Sequence, residues 1–170
     1  MRVWITVLIV VTPLLDYFFM SGLSTSFRVS WFVISLAGLI VYKHRAAALA
    51  LALLAGLAAD LIGPGSTFGL GVIIYLLSYY ATEYLVRSFG ASWRLTTIAG
   101  LVLVSALIFY LMQNMAEIIF GFILTAAGGP RAGDILSSLA AALSTSVVAW
   151  LVFGLGRYGR QLGRRWLLIN

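Results

Sequence analysis

The chain has no cysteine among its 170 residues, one histidine, three prolines and only five acidic side chains. Without cysteine there is neither a disulfide framework nor thiolate chemistry. The single imidazole, His44, sits between Lys43 and Arg45 and reads as part of a basic loop. No His/Cys/carboxylate set has metal-ligand spacing, no nucleophile has a base nearby in sequence, and no phosphate-binding loop occurs, so no catalytic, metal or cofactor site is expected. Charged residues make up 9% of the chain. A soluble domain carries roughly 25%. That deficit excludes an ordinary soluble fold.

What is present instead is apolar. Hydrophobic residues make up 62% of the chain and the mean hydropathy is +1.07, which marks an integral membrane protein. Apolar runs place spans at about 3–22, 29–42, 46–62, 70–86, 95–117 and 133–156, followed by a basic tail over 157–170. The expected fold is all-α: one compact six-helix transmembrane bundle over 1–170, with no room for a folded extramembrane domain. The first run follows Arg2 in the manner of a signal peptide. It is too long, contains Pro13 and Asp16, and lacks a small-x-small cleavage site, so it reads as a retained span. The second run is short and is expected to reach back towards Phe27. Residues 118–132 either prolong the fifth helix or fold back along the interface; periodicity alone leaves both open.

Charge sets the orientation. With the N-terminus inside, the cytoplasmic segments hold Arg2, Lys43, Arg45, Arg87, Arg94, Arg157, Arg160, Arg164 and Arg165, leaving only Arg28 and Arg131 outside. This positive-inside bias predicts six spans with both termini cytoplasmic. The basic pI follows from these orienting arginines and does not indicate a nucleic-acid partner. In the tail, Arg157, Arg160, Arg164 and Arg165 suit a helix lying on anionic headgroups at the inner surface or, alternatively, a docking site for a cytoplasmic protein.

The most distinctive stretch is 53–71. An alanine- and leucine-rich run carries Asp60 and then breaks at Gly63-Pro64-Gly65, before Gly69 and the next apolar run. Proline and glycine there predict a sharp turn. Ala48, Ala52 and Gly56 fall at four-residue spacing, the small-xxx-small pattern of close helix packing, and Ala140/Ser144 and Ala141/Thr145 repeat it in the last run. Gly56, one turn before Asp60, allows another backbone to approach the carboxylate. Asp60 itself is open to two readings: a cap for the turn, or a contact to a partner, ion or substrate. Glu83 precedes Arg87 by four residues, the favourable order for an ion pair. Tyr79 and Tyr80 lie nearby, as core or belt residues or as a ring-binding pair. Asp16, Gln113, Asn114 and Glu117 are polar candidates in the outer half, either bonding between helices or lining an outer pocket opposite Asp60.

These residues carry a resemblance. Phe27-Arg28 before the second span, His44-Arg45 at its end, and Gly56-x-x-x-Asp60-Leu61-Ile62 followed by Gly65-Ser66-Thr67-Phe68-Gly69 resemble the bacterial rod-shape-determining MreD family. The match is densest over about 27–90; Val29 stands where that family often has proline. Glu117 and the basic tail also fit. The resemblance implies a non-catalytic inner-membrane scaffold without cofactors, binding MreC and, directly or through it, RodA, penicillin-binding protein 2 and MreB in lateral peptidoglycan synthesis. It also implies a fold similar to the substrate-binding component of energy-coupling-factor vitamin transporters, the alternative function. Such components favour small residues on the first helix, whereas this one carries Trp4, Leu14, Leu15, Tyr17 and Phe18.

Overall fold

The computed structural model describes residues 2–22, 29–62, 69–89, 95–125 and 132–167. They form helices α1 (Arg2–Gly22), α2 (Trp31–Val41), α3 (Arg45–Ile62), α4 (Leu70–Phe89), α5 (Leu95–Thr125) and α6 (Ala132–Leu167). Each apolar run of the sequence thus becomes one helix. Three stretches, Arg45–Ile62, Thr96–Ala116 and Leu136–Tyr158, are long and apolar enough to cross a membrane.

Two boundaries differ from expectation, and a third settles an open alternative. α2 does not reach back as helix to Phe27: it starts at Trp31, because Ser30 adopts an extended backbone (φ −87°, ψ 102°) and its hydroxyl caps the Val33 N–H. The fifth helix is prolonged through Thr125, since no proline intervenes before Pro130. Nor is the basic tail a separate surface helix. α6 runs on without a break through Leu167, again with no proline to stop it.

The shortest helix is the centre. α2 has 11 residues, about 16 Å at 1.5 Å per residue, roughly half the thickness of a bilayer's hydrocarbon core. It packs against all five other helices, while α1–α3, α3–α4, α4–α5 and α5–α6 are successive neighbours around it. Among the described residues α1 and α6 do not pack together, so the ring is open there. Phe32, Val33, Leu36 and Ala37 of α2 are fully enclosed. Phe32 meets the rings of Tyr75 at 4.5 Å and Phe109 at 5.5 Å, which ties α2 to α4 and α5.

Side-chain size sorts the rest. Ala48, Ala52, Ala106, Ala142 and Ala149 are buried, whereas Leu54, Leu61, Ile73, Leu136, Leu143 and Leu155 are exposed. With apolar residues on both sides, hydrophobicity does not choose the packing face. Close approach of small residues and a few polar pairs do.

A three-residue corner joins α2 to α3. The His44 N–H donates to the Leu39 carbonyl at 2.8 Å and the Lys43 N–H to Ile40 at 2.9 Å, with Lys43 at φ 64°. This is a Schellman motif with lysine in the left-handed position that glycine usually occupies. The His44 carbonyl then accepts from the Ala48 N–H at 3.0 Å, opening α3 at once.

Candidate functional site

A helix begins with N–H groups that have no partner inside the helix. α2 begins among buried residues and α4 among half-buried ones, and each start is met by an aspartate from the preceding helix. At α2 the carboxylate is Asp16 of α1. Its Oδ1 accepts from the Trp31 N–H at 2.5 Å, and its Oδ2 from the Phe32 N–H at 3.0 Å and the Ser30 hydroxyl at 3.4 Å. At α4 it is Asp60 of α3. Oδ2 accepts from the N–H groups of Gly69 at 2.9 Å and Val72 at 3.3 Å, and Oδ1 accepts from Gly71 at 2.7 Å. Both carboxylates are buried, Asp16 to 6% exposure and Asp60 to 7%. Each faces the positive end of a helix dipole, and charge-assisted bonds offset the loss of water. Since the two hairpins run in the same sense, both caps lie at one end of the bundle.

Neighbouring groups complete each cap. The Ser30 N–H donates to Thr145 Oγ1 at 3.1 Å, and that hydroxyl donates to the Ala141 carbonyl at 2.7 Å, linking α6 to the start of α2. Thr12 and Ser35 hydroxyls meet at 3.1 Å between α1 and α2. At α4 the neighbour is a glycine. A Cβ on Gly56 would lie 2.6 Å from Val72 Cα, and one on Gly71 would lie 2.5 Å from Asp60 Oδ1. The backbone that approaches Gly56 is therefore α4 of the same chain. Gly69, at φ 99°, turns the chain into α4, and its carbonyl accepts from the Ile73 N–H at 3.1 Å.

The opposite end of the α3–α4 hairpin carries a second polar cluster. Glu83 Oε1 accepts from Arg87 Nη2 at 2.7 Å, the spacing anticipated within α4. It also pairs with Arg45 Nε at 3.4 Å, from the first residue of α3. The tyrosines separate: Tyr79 is buried beside Glu83, while Tyr80 packs its ring edge-on at 5.1 Å and is exposed. They do not form a cleft for a ring.

Of the polar candidates assigned to the outer half, Asp16 is taken up by the start of α2. Asn114 Nδ2 donates to the Ser138 hydroxyl at 2.7 Å, joining α5 to α6, and Gln113 is half-buried beside it on α5. Asp60 faces α4, and α3 and α5 do not pack together among the described residues. Gly63, Pro64 and Gly65 lie outside the described residues, as do the side chains of Glu117, Arg160, Arg164 and Arg165. Arg157 is exposed on α6. Among the described residues no three of His, Asp and Glu converge as a metal site would require.

Sequence reasoning missed Ser30, Thr145 and the Arg45–Glu83 pair. Ser30 carried a readable signal, a capping residue directly before an apolar run. Thr145 had stood out only for its size, and nothing local links Arg45 to a carboxylate 38 positions away.

In comparisons with known proteins, no protein-family model, curated protein or solved structure matches the chain.

Proposed function

We propose that the chain is a six-span scaffold of the bacterial elongation machinery in the inner membrane, of the MreD type, with both termini cytoplasmic. It holds MreC and, through it, supports lateral peptidoglycan synthesis by RodA and penicillin-binding protein 2. The observation that carries this reading is the engagement of Asp60 with the Gly69, Gly71 and Val72 N–H groups beside Gly56. Three of the residues that carry the family resemblance, Gly56, Asp60 and Gly69, take part in a clasp between two helices. That use suits a scaffold, whose product is a fixed shape, better than a transporter that must present a carboxylate to its cargo.

The same clasps support burial of the bundle in lipid. Backbone that starts a helix at membrane depth is tolerated only where protein groups satisfy it. Asp16 and Asp60 do so for α2 and α4, which lets an 11-residue helix sit inside a ring of longer ones. Ala48, Ala52 and Gly56 are enclosed within the chain's own bundle, so a partner helix meets the exposed leucine and valine faces rather than that stripe.

Co-expression with MreC and purification through a tag on this chain tests the proposal. MreC is expected to co-purify, and a reporter fused to the C-terminus is expected on the cytoplasmic side. Folded protein that never recovers MreC refutes the scaffold role, and stabilisation by one member of a vitamin panel would favour the transporter reading.

A further inference from the structure

The end of the bundle opposite Asp16 and Asp60 carries an excess of positive charge held in a defined arrangement. Arg45 and Arg87 come from different helices, yet both rest on the same oxygen of Glu83, at 3.4 and 2.7 Å. The Glu83 side chain is 12% exposed, while those of Arg45 and Arg87 are 55% and 60% exposed. One carboxylate therefore anchors two guanidinium groups that remain more than half exposed. Lys43 adds a third cation, two residues before Arg45, on an exposed corner fixed by the Schellman motif. Against one carboxylate these three cations leave two uncompensated charges. The other described carboxylates, Asp16 and Asp60, are at the far end. Tyr42 and Tyr84, exposed beside the corner and on α4, are of the kind that sits at headgroup level.

We infer that Lys43, Arg45 and Arg87 form a binding site for the phosphate of an anionic phospholipid at this end of the bundle. Guanidinium groups suit phosphate because their planar fork gives paired donors. Here Glu83 orients both forks in advance, which removes part of the ordering cost of binding. A net charge of two beyond the carboxylate favours a headgroup carrying net negative charge over a zwitterionic one, whose choline would face the same cations. The inference rests on membrane insertion of the bundle and is independent of MreC. It also places lipid recognition at the α2–α3 corner rather than in the arginine-rich end of α6.

The test uses purified full-length protein in a neutral detergent, titrated with short-chain phosphatidylglycerol, phosphatidylcholine or inorganic phosphate, with thermal unfolding as readout. Phosphatidylglycerol is expected to stabilise the wild type at concentrations where the other two do not. At about 1 kcal/mol per basic residue at a membrane surface, Arg87→Gln should weaken the apparent affinity about fivefold and Lys43→Gln with Arg87→Gln about thirtyfold. Arg87→Lys, which keeps the charge but loses the planar fork, should fall between the wild type and Arg87→Gln. Replacing Arg157, Arg160, Arg164 and Arg165 together by glutamine should change it less than twofold. Lys43→Gln alone, which leaves the Glu83 pairs intact, carries the test where Arg87→Gln does not fold. Equal stabilisation by phosphatidylcholine, full reproduction by inorganic phosphate, a response to an acidic peptide as large as that to lipid, or loss confined to the tail variant would each overturn the site. Protein recovered without detergent from the soluble fraction would refute membrane insertion instead.

Discussion

Replacing Gly56 by alanine probes the contact on which the α3–α4 clasp depends. The new methyl would lie 2.6 Å from Val72 Cα and 3.0 Å from Val72 N, against an ordinary carbon–carbon separation of about 3.5–4.0 Å. The obstacle is helix backbone, so no side chain can swing aside; α4 must move away by about 1 Å. That movement stretches the Gly71 N–H···Asp60 bond from 2.7 Å to beyond hydrogen-bonding range. Overpacking costs about 1–3 kcal/mol and loss of a bond to a charged acceptor about 1.5–3, so the variant should lose about 3–5 kcal/mol. For a chain of this size that corresponds to a fall in Tm of about 10 °C. Tryptophan fluorescence during thermal unfolding in detergent reads it. Asp60→Asn alone should lose about 2 kcal/mol, and the double variant less than the sum by at least 1 kcal/mol, because both changes break the same contact. A Gly56→Ala loss below 1 kcal/mol, or strict additivity with Asp60→Asn, would refute the coupling of close approach to capping.

The other cap and the corner give further expectations. Asp16→Ala leaves the Trp31 and Phe32 N–H groups buried without their acceptor and should lower stability by about 2–4 kcal/mol, with Asp16→Asn losing less; urea titration of the detergent-solubilised protein gives the order. Thr145→Val removes the acceptor of the Ser30 N–H at constant shape and should lose about 1–3 kcal/mol by the same measurement, while Thr145→Ser stays close to wild type. Lys43→Gly relieves a left-handed lysine and should stabilise the protein by about 0.5–1 kcal/mol, a rise in Tm of about 2 °C, at the expense of one cation of the lipid site.

The helices and most of their limits were legible because each is a long apolar run closed by glycine, proline or charge. α3 and the start of α4 fall where hydropathy puts them. Gly56 was legible too, since a small residue one turn before a lone carboxylate announces a close neighbour. The limits that were not legible are those where one local signal was read too generously or too narrowly. Ser30 caps α2 directly before its apolar run and so sets the start later than Phe27, and the glycines near 154–163 do not halt α6, because occasional glycines within a long helix cost only about 1 kcal/mol each.

By itself the sequence determined that this is an apolar, all-helical chain with stretches long and apolar enough to cross a membrane, since composition and run length are local quantities. Tertiary structure alone decided that the shortest run is the hub of the bundle. It also decided that Asp16 serves a helix 15 positions away, that the backbone at Gly56 belongs to α4, and that Glu83 gathers arginines from two helices. The physical reason is that the exterior and the core of this protein are both apolar. Hydropathy then marks where a helix is but not which way it faces, and orientation is set by contacts between residues far apart in the chain.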